Sequence, residues 1–307
     1  MMLSTPVESV KNAKTRPGAG PALHSVIEAA RRRYSCRLYN PQPMSAQQRA
    51  ELEAHLCAVL MGPLGTPLRF RLIAATVDDP EALRGLGTYG FIKGAQAFIV
   101  GAMPPGEKNL EDYGYEMERA ILHAATLGLG TCWLGGSFTK SRFARAIATD
   151  AHEKVPAVAS VGLAAEGAEH GRLRTRMRGH SRLPWAQLFF RGSFGQPLSP
   201  EEAGQHATAL EALRLAPSAS NKQPWRVVQR GKDWHFFLQR TPGYGQGTLT
   251  FMLLRLADLQ RVDMGIAMCH FELARQEAGG RGRWVIASSE MAVPDKRCEY
   301  AITWTEE

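Results

Sequence analysis

Several classes of protein are excluded by what this sequence does not contain. No apolar run approaches the length that a bilayer span requires. The first 24 residues mix charge, glycine and proline without an apolar centre, so no secretory leader is expected, and residues 1–24 are read as a disordered tail. The five cysteines, Cys36, Cys57, Cys132, Cys269 and Cys298, are odd in number and include no Cys-x-x-Cys pair. That argues against a disulfide framework and for reduced thiols in a cytoplasmic setting. No cluster of His, Cys and carboxylates has the spacing of metal ligands, so no metal is expected. Helix-turn-helix, zinc-finger and RNA-binding signatures are absent, and so is an acid–base triad.

The chain has 307 residues, of which 44% are hydrophobic and 21% charged. This is the composition of a globular protein with a substantial core, in one large domain or two ordinary ones. The net charge is +8, and much of the excess lies in two clusters, Arg31–Arg33 with Arg37, and residues 172–182. A phosphate-bearing cofactor plus a solvated basic surface accounts for that charge. Neither nucleic acid nor membrane is expected as a partner.

Two stretches carry the chemistry. The first is Arg33-Tyr34-Ser35-Cys36-Arg37-Leu38-Tyr39, delivered by a helix from Ser25. Alternate residues of an extended segment share a face, so Arg33, Ser35 and Arg37 can present two guanidiniums and a hydroxyl to one phosphate. The second is Ala216-Pro217-Ser218-Ala219-Ser220-Asn221-Lys222-Gln223-Pro224-Trp225. There a helical run through Leu210 and Leu213 stops at Pro217, polar turn residues follow, and Pro224 opens a strand. Between them lies Gly128-Leu129-Gly130-Thr131-Cys132-Trp133-Leu134-Gly135-Gly136, after a helix expected from about Asp112 to Leu127. Gly128 suits a helix C-cap. This stretch lacks the Gly-x-Gly-x-x-Gly spacing and follows a helix instead of opening one, so it is not a dinucleotide fingerprint. A C-cap leaves Gly135 and Gly136 unexplained, whereas close approach of backbone to a flat ring would explain them.

Together these stretches resemble the signatures of the FMN-dependent nitroreductase family. The resemblance covers about residues 25 to 305. It implies that Arg33, Tyr34, Ser35 and Arg37 grip the phosphate and ribityl chain of FMN. It implies that Leu134, Gly135 and Gly136 run past the redox edge of the ring, and that Pro217, Ser218, Ala219 and Asn221 cover it. His180-Ser181-Arg182-Leu183-Pro184 looks like the family's basic ending, which adds Arg182 to the phosphate. Gln223 and Trp225 are read as supporting residues, and His123 and His270 as core or surface histidines. The activity implied is a ping-pong oxidoreductase, with NADH or NADPH as electron donor and an electron-poor small molecule as acceptor. A non-catalytic flavin-binding or flavin-storing protein is the alternative.

The order of the motifs is unusual, because the Pro-Ser-x-x-Asn stretch lies far down the chain. An internal repeat accounts for it. Leu52-Glu53-Ala54 precedes a turn and Pro67-Leu68-Arg69-Phe70, just as Leu210-Glu211-Ala212 precedes a turn and Pro224-Trp225-Arg226-Val227. Gly128 and Trp133 recur as Gly279 and Trp284 at nearly the same offset. The expectation is an α+β fold of nitroreductase type: a mixed, mainly antiparallel sheet with helices on both faces, in two pseudo-symmetric halves, 25–192 and 193–307, that mimic a dimer. One FMN site would be complete and its mirror lost, so a monomer is expected.

Overall fold

A computed structural model of the protein describes residues 25–59, 61–76, 79, 81–168, 181–245, 248, 251, 256–287 and 291–307. The expected tail, and the basic stretch that includes His180, lie outside these residues.

Helix α1, Val26–Arg32, ends where Arg33 turns extended. Helix α2, Ala46–Cys57, starts at Ser45, whose hydroxyl accepts from Gln48 N while the Gln48 side chain takes the Ser45 N–H. Strands β1 (Arg69–Ala74), β2 (Ala97–Ala102), β3 (Gly130–Leu134) and β4 (Val158–Gly162) form an antiparallel sheet in the order β1-β2-β4-β3. Helix α3, Asn109–Thr126, lies on one face of it, and α4, Lys140–Ala146, on the other. Strand β2 is therefore buried throughout, with Ala97 and Ile99 toward α3 and Phe98 and Val100 toward Phe143 of α4. Thr139 stands at the start of α4. It makes no cap bond, and its hydroxyl instead accepts from Gly87 N at 3.1 Å.

The chain then crosses over. Strand β5, Phe189–Arg191, pairs parallel with β6, Trp225–Arg230. Strands β7 (Asp233–Gln239), β8 (Gly282–Val285) and β9 (Cys298–Glu306) complete a second sheet in the order β5-β6-β7-β9-β8. Among the described residues its α-helices are the single turn α5 (Pro200–Ala203), α6 (Ala207–Leu215) and α7 (Leu259–Glu277). The α+β, mixed and mainly antiparallel fold is thus as expected, but its strands divide into two sheets. The second sheet has α7 on one face, while Val228, Phe237 and Cys298 pack with Phe190, Phe194 and Tyr300 in a separate cluster.

At the centre α3 crosses α7. A methyl group on Gly114 would strike the Val262 carbonyl, and one on Gly265 the Glu111 carbonyl. The two backbones touch because neither residue has a side chain. The two sheets also share a plan. Without β5, the second repeats the strand order of the first. Ser199 and Glu202 make the same capping box as Ser45 and Gln48. Gly128 and Gly279, with φ of 77° and 78°, follow α3 and α7. Trp133 and Trp284 then donate their indole N–H groups to Glu118 and Glu272, both at 2.6 Å.

Candidate functional site

The site is built from three separated segments. The first leaves α1 at Arg33 and runs extended beside β3, where Ser35 bridges to Thr131 and Cys36 N donates to Thr131 O at 2.9 Å. Lys93 N donates to Arg37 O, and Tyr39 N to Lys93 O, which fixes the segment on its other side. Burial pushes the Cys132 thiol up, opposed by the nearby Arg37 and Arg33 cations and by a bond with the Ser35 side chain. The segment is therefore held along β3, with Ser35 opposite Thr131 and the two arginines adding positive charge nearby. Thr131 Oγ1 is buried and has no hydrogen-bond partner among the described residues.

Arg33 goes further inward than the others. Its Nε lies 3.9 Å from Glu118 Oε1, with side chains 5% and 0% exposed. Glu118 also accepts from His270 Nε2 at 2.9 Å and from Trp133 Nε1. This carboxylate joins α1, α3, β3 and α7, so His270 is a core residue whose partner is now identified. His123, buried, stacks on His55 with ring centroids 4.4 Å apart.

The second segment is the turn after α6. Ser218 is extended, and Ser220, Asn221 and Gln223 are all left-handed, with φ of 51°, 53° and 49°. None is glycine; asparagine tolerates this region, but Ser220 and Gln223 each cost roughly 1–3 kcal/mol that the surroundings must offset. The surrounding bonds are these. Gln223 N donates to Ser218 Oγ at 2.8 Å, Ala219 N to Asp263 Oδ1 at 2.9 Å, and Asn221 Nδ2 to Ser181 O at 3.1 Å. Leu183 N donates to Gln223 Oε1 at 2.8 Å, so Gln223 ties the turn to the segment that carries Arg182. Arg182 donates to Leu215 O at 2.7 Å and faces Asn221 Oδ1 at 3.5 Å. Burial pushes the Asp263 carboxyl well above its ordinary range, against the pull of the Ala219 N–H. Tyr244 lies over the turn, with its hydroxyl 3.4 Å from Ser220 Oγ and Lys222 above its ring. Trp225 is wholly buried, as a core residue should be.

The third segment is Gly135-Gly136, directly after β3. A side chain on Gly135 would meet Leu259, and one on Gly136 would meet Leu256. Leu259 and Asp263 are four apart on α7 and so share a face. Gly135 and Ala219 therefore lean on the first two turns of the same helix, one from each half of the chain. Arg182 and Asn221 are joined directly. Arg33 and Arg37 both bring positive charge toward Cys132, though the Arg33 side chain approaches Glu118 in the core.

Reading the sequence overlooked Glu118, Thr131 and Asp263. The signal for Asp263 was present, since Asp112 and Asp263 each precede a crossing glycine by two residues. Gly85-Leu86-Gly87-Thr88-Tyr89-Gly90 was also passed over. It has the dinucleotide-fingerprint spacing, but it lies in turns between β1 and β2 and opens no helix.

A family model described as "Putative TM nitroreductase" matches residues 25–275. Among solved structures, the fold is similar to that of a "putative nitroreductase" from Thermotoga maritima. That pair has a TM-score of 0.57 and 17% identity, and covers 95% of this chain and 99% of the other. A smaller similarity links it to an oxidoreductase containing FMN, with a TM-score of 0.45, 19% identity, and coverage of 61% and 100%. Another links it to a nitroreductase with bound FMN from Bacteroides fragilis, with a TM-score of 0.36, 22% identity, and coverage of 47% and 90%. No curated protein matches. Motifs, fold and a family model that spans most of the chain agree, and the chain belongs to the TM nitroreductase family.

Proposed function

We propose that the chain binds one FMN without a covalent link and acts as an oxidoreductase. NADH or NADPH gives the electrons, and an electron-poor small molecule such as a nitroaromatic, quinone or enone takes them in a ping-pong cycle. The observation that carries this reading is the meeting of Gly135 and Ala219 on one face of α7. Two motifs far apart in sequence lie where a single flat ring could touch both. The residues present fit such a group. Thr131, whose buried hydroxyl has no hydrogen-bond partner among the described residues, pairs with Ser35, and the turn at Ser218–Gln223 holds Ser220 and Gln223 in a backbone shape they do not favour.

Bound FMN supplies the hydride chemistry, so the protein needs no acid–base triad of its own. Ser35, Arg37 and Arg182 hold the phosphate, with Tyr34 beside them. Arg33 adds positive charge from within, already partly offset by Glu118. Leu134, Gly135 and Gly136 present backbone to one edge of the ring, while Pro217, Ser218, Ala219 and Asn221 cover it from the second half. The chain is a fused pseudo-dimer, 25–192 with 193–307. At the mirror position Asp112 fills the turn, and Arg191 pairs with Glu202 at 2.8 Å.

The test is an absorption spectrum of the purified protein, followed by anaerobic addition of NADH or NADPH and then of acceptors. Flavin bands that bleach with the donor and return with an acceptor are expected. Apoprotein that takes up no FMN would overturn the assignment. Bound FMN that neither donor bleaches would leave a flavin-holding protein.

A further inference from the structure

Asp112 on α3 and Asp263 on α7 occupy matching places on the two central helices, each two residues ahead of a crossing glycine. Each reaches the turn before the long strand pair of its own half. The bonding differs. Asp112 uses both oxygens, accepting from Leu64 N at 2.7 Å and Thr66 N at 2.8 Å. Asp263 is 2% exposed and uses one. Its Oδ1 accepts from Ala219 N, while Oδ2 is buried without a hydrogen-bond partner among the described residues. The turns differ as well. The one at 62–66 has a glycine, Gly65, at its left-handed position, whereas the one at 218–223 holds three other residue types left-handed. A shape held against backbone preference persists only where its surroundings over-determine it. Among the bonds that hold this turn, the one to Asp263 ties it to the helix on which Gly135 also leans.

We propose that Asp263 is a positioning residue for the candidate site: by fixing Ala219 N to α7 it sets the turn against the Gly135-Gly136 loop. The role rests on the FMN reading above, but the geometry does not. A wholly buried carboxyl whose second oxygen has no donor suits a side chain that keeps its proton, and burial acts in that direction. Asparagine at 263 keeps the acceptor for Ala219 and places its NH2 where no donor competes. Asparagine at 112 would turn an NH2 onto a backbone N–H.

Amide hydrogen exchange in the apoprotein tests the anchor, and the spectrum of bound FMN tests its purpose. In Asp263→Ala, exchange at Ala219 should quicken about tenfold or more for the lost bond, and the FMN bands should shift. Asp263→Asn should restore both, while Asp112→Asn should quicken Leu64 or Thr66 and leave Ala219 unchanged. Unchanged Ala219 exchange in Asp263→Ala would overturn the proposal, as would Asp263→Asn behaving like Asp263→Ala. If Asp263→Ala does not fold, Asp263→Asn decides: Ala219 exchange about tenfold above wild type overturns the anchor. Fast exchange with an unshifted FMN spectrum would refute the positioning role alone. Wild-type protein that binds no FMN would refute the functional reading and leave the exchange result standing.

Discussion

The two arginines of the first motif are expected to fail in different ways when replaced. Arg33 is 5% exposed and approaches Glu118, which is 0% exposed. Arg33→Ala removes a cation and the packing of its stem, and leaves a buried carboxylate one partner short. Breaking a buried ion pair from one side costs about 3–5 kcal/mol. Here the separation is 3.9 Å and Glu118 keeps His270 and Trp133, so a loss of roughly 2–3 kcal/mol is the working figure. Arg37 is half-buried and, among the described residues, donates to Ser35 O at 3.3 Å. Arg37→Ala should leave stability within about 0.5 kcal/mol, the usual range for a surface change. It should weaken FMN instead, by about 1.5–3 kcal/mol for a charge-assisted bond. Urea unfolding of the apoprotein measures the first quantity and fluorescence titration with FMN the second. The reasoning is refuted if Arg33→Ala unfolds at the wild-type midpoint while losing as much FMN affinity as Arg37→Ala. That would put the Arg33 guanidinium on the phosphate.

Three further outcomes follow from the same structure. Gly265→Ala drives a methyl into the backbone of α3, which cannot move aside as a side chain could, so unfolding should come at least about 3 kcal/mol earlier, the upper range for overpacking; a thermal scan within error of wild type would contradict the crossing. Asp263 binds its proton more tightly folded than unfolded, so its contribution is complete below the ordinary Asp range and is lost as pH rises toward its raised folded value. Its charged and titratable neighbours are Asp258, paired with Arg240, and Tyr244, so the slope is isolated by comparison with Asp263→Asn, and equal slopes in the two proteins would refute it. Light scattering with flavin quantitation should give one FMN per monomeric chain; two per chain, or an obligate dimer, would contradict a single complete site.

Much of this architecture was legible because it is written in local chemistry. The glycine at 128 and the helical run through Leu210 and Leu213 each fix an element by the bonds or burial of neighbouring residues. The turn at Ser218–Asn221 was legible for the same reason. The crossover of β5 was not, because it depends on three residues, Phe189–Arg191, pairing with a strand from the other half. Nor was the burial of α3. Glu111, Asp112, Glu116 and Glu118 give that helix the look of a solvated face, yet all four are buried. Glu116 pairs locally with Arg119, but the partners of the other three come from far away. Arg261 forks onto Glu111, His270 and Arg33 meet Glu118, and the 64–66 backbone fills Asp112. A charge paired across half a chain leaves no local pattern. Gly114 and Gly265 also read as weak points in helices, and their value appears only when the helices cross.

The crossover strand also orders events during synthesis. Leu188 and Phe189 are wholly buried, and Val227 N closes on Leu188 O at 2.8 Å. Their sheet does not exist until β6 and β7 have been made. A nascent chain paused after residue 192 therefore shows an apolar segment with open backbone groups, which is what strand edges use to join other molecules. The halves cannot ripen one after the other as independent units. The last piece of the first remains a sticky end until the second arrives to receive it, and early termination in this region would produce an aggregating fragment instead of half a working protein.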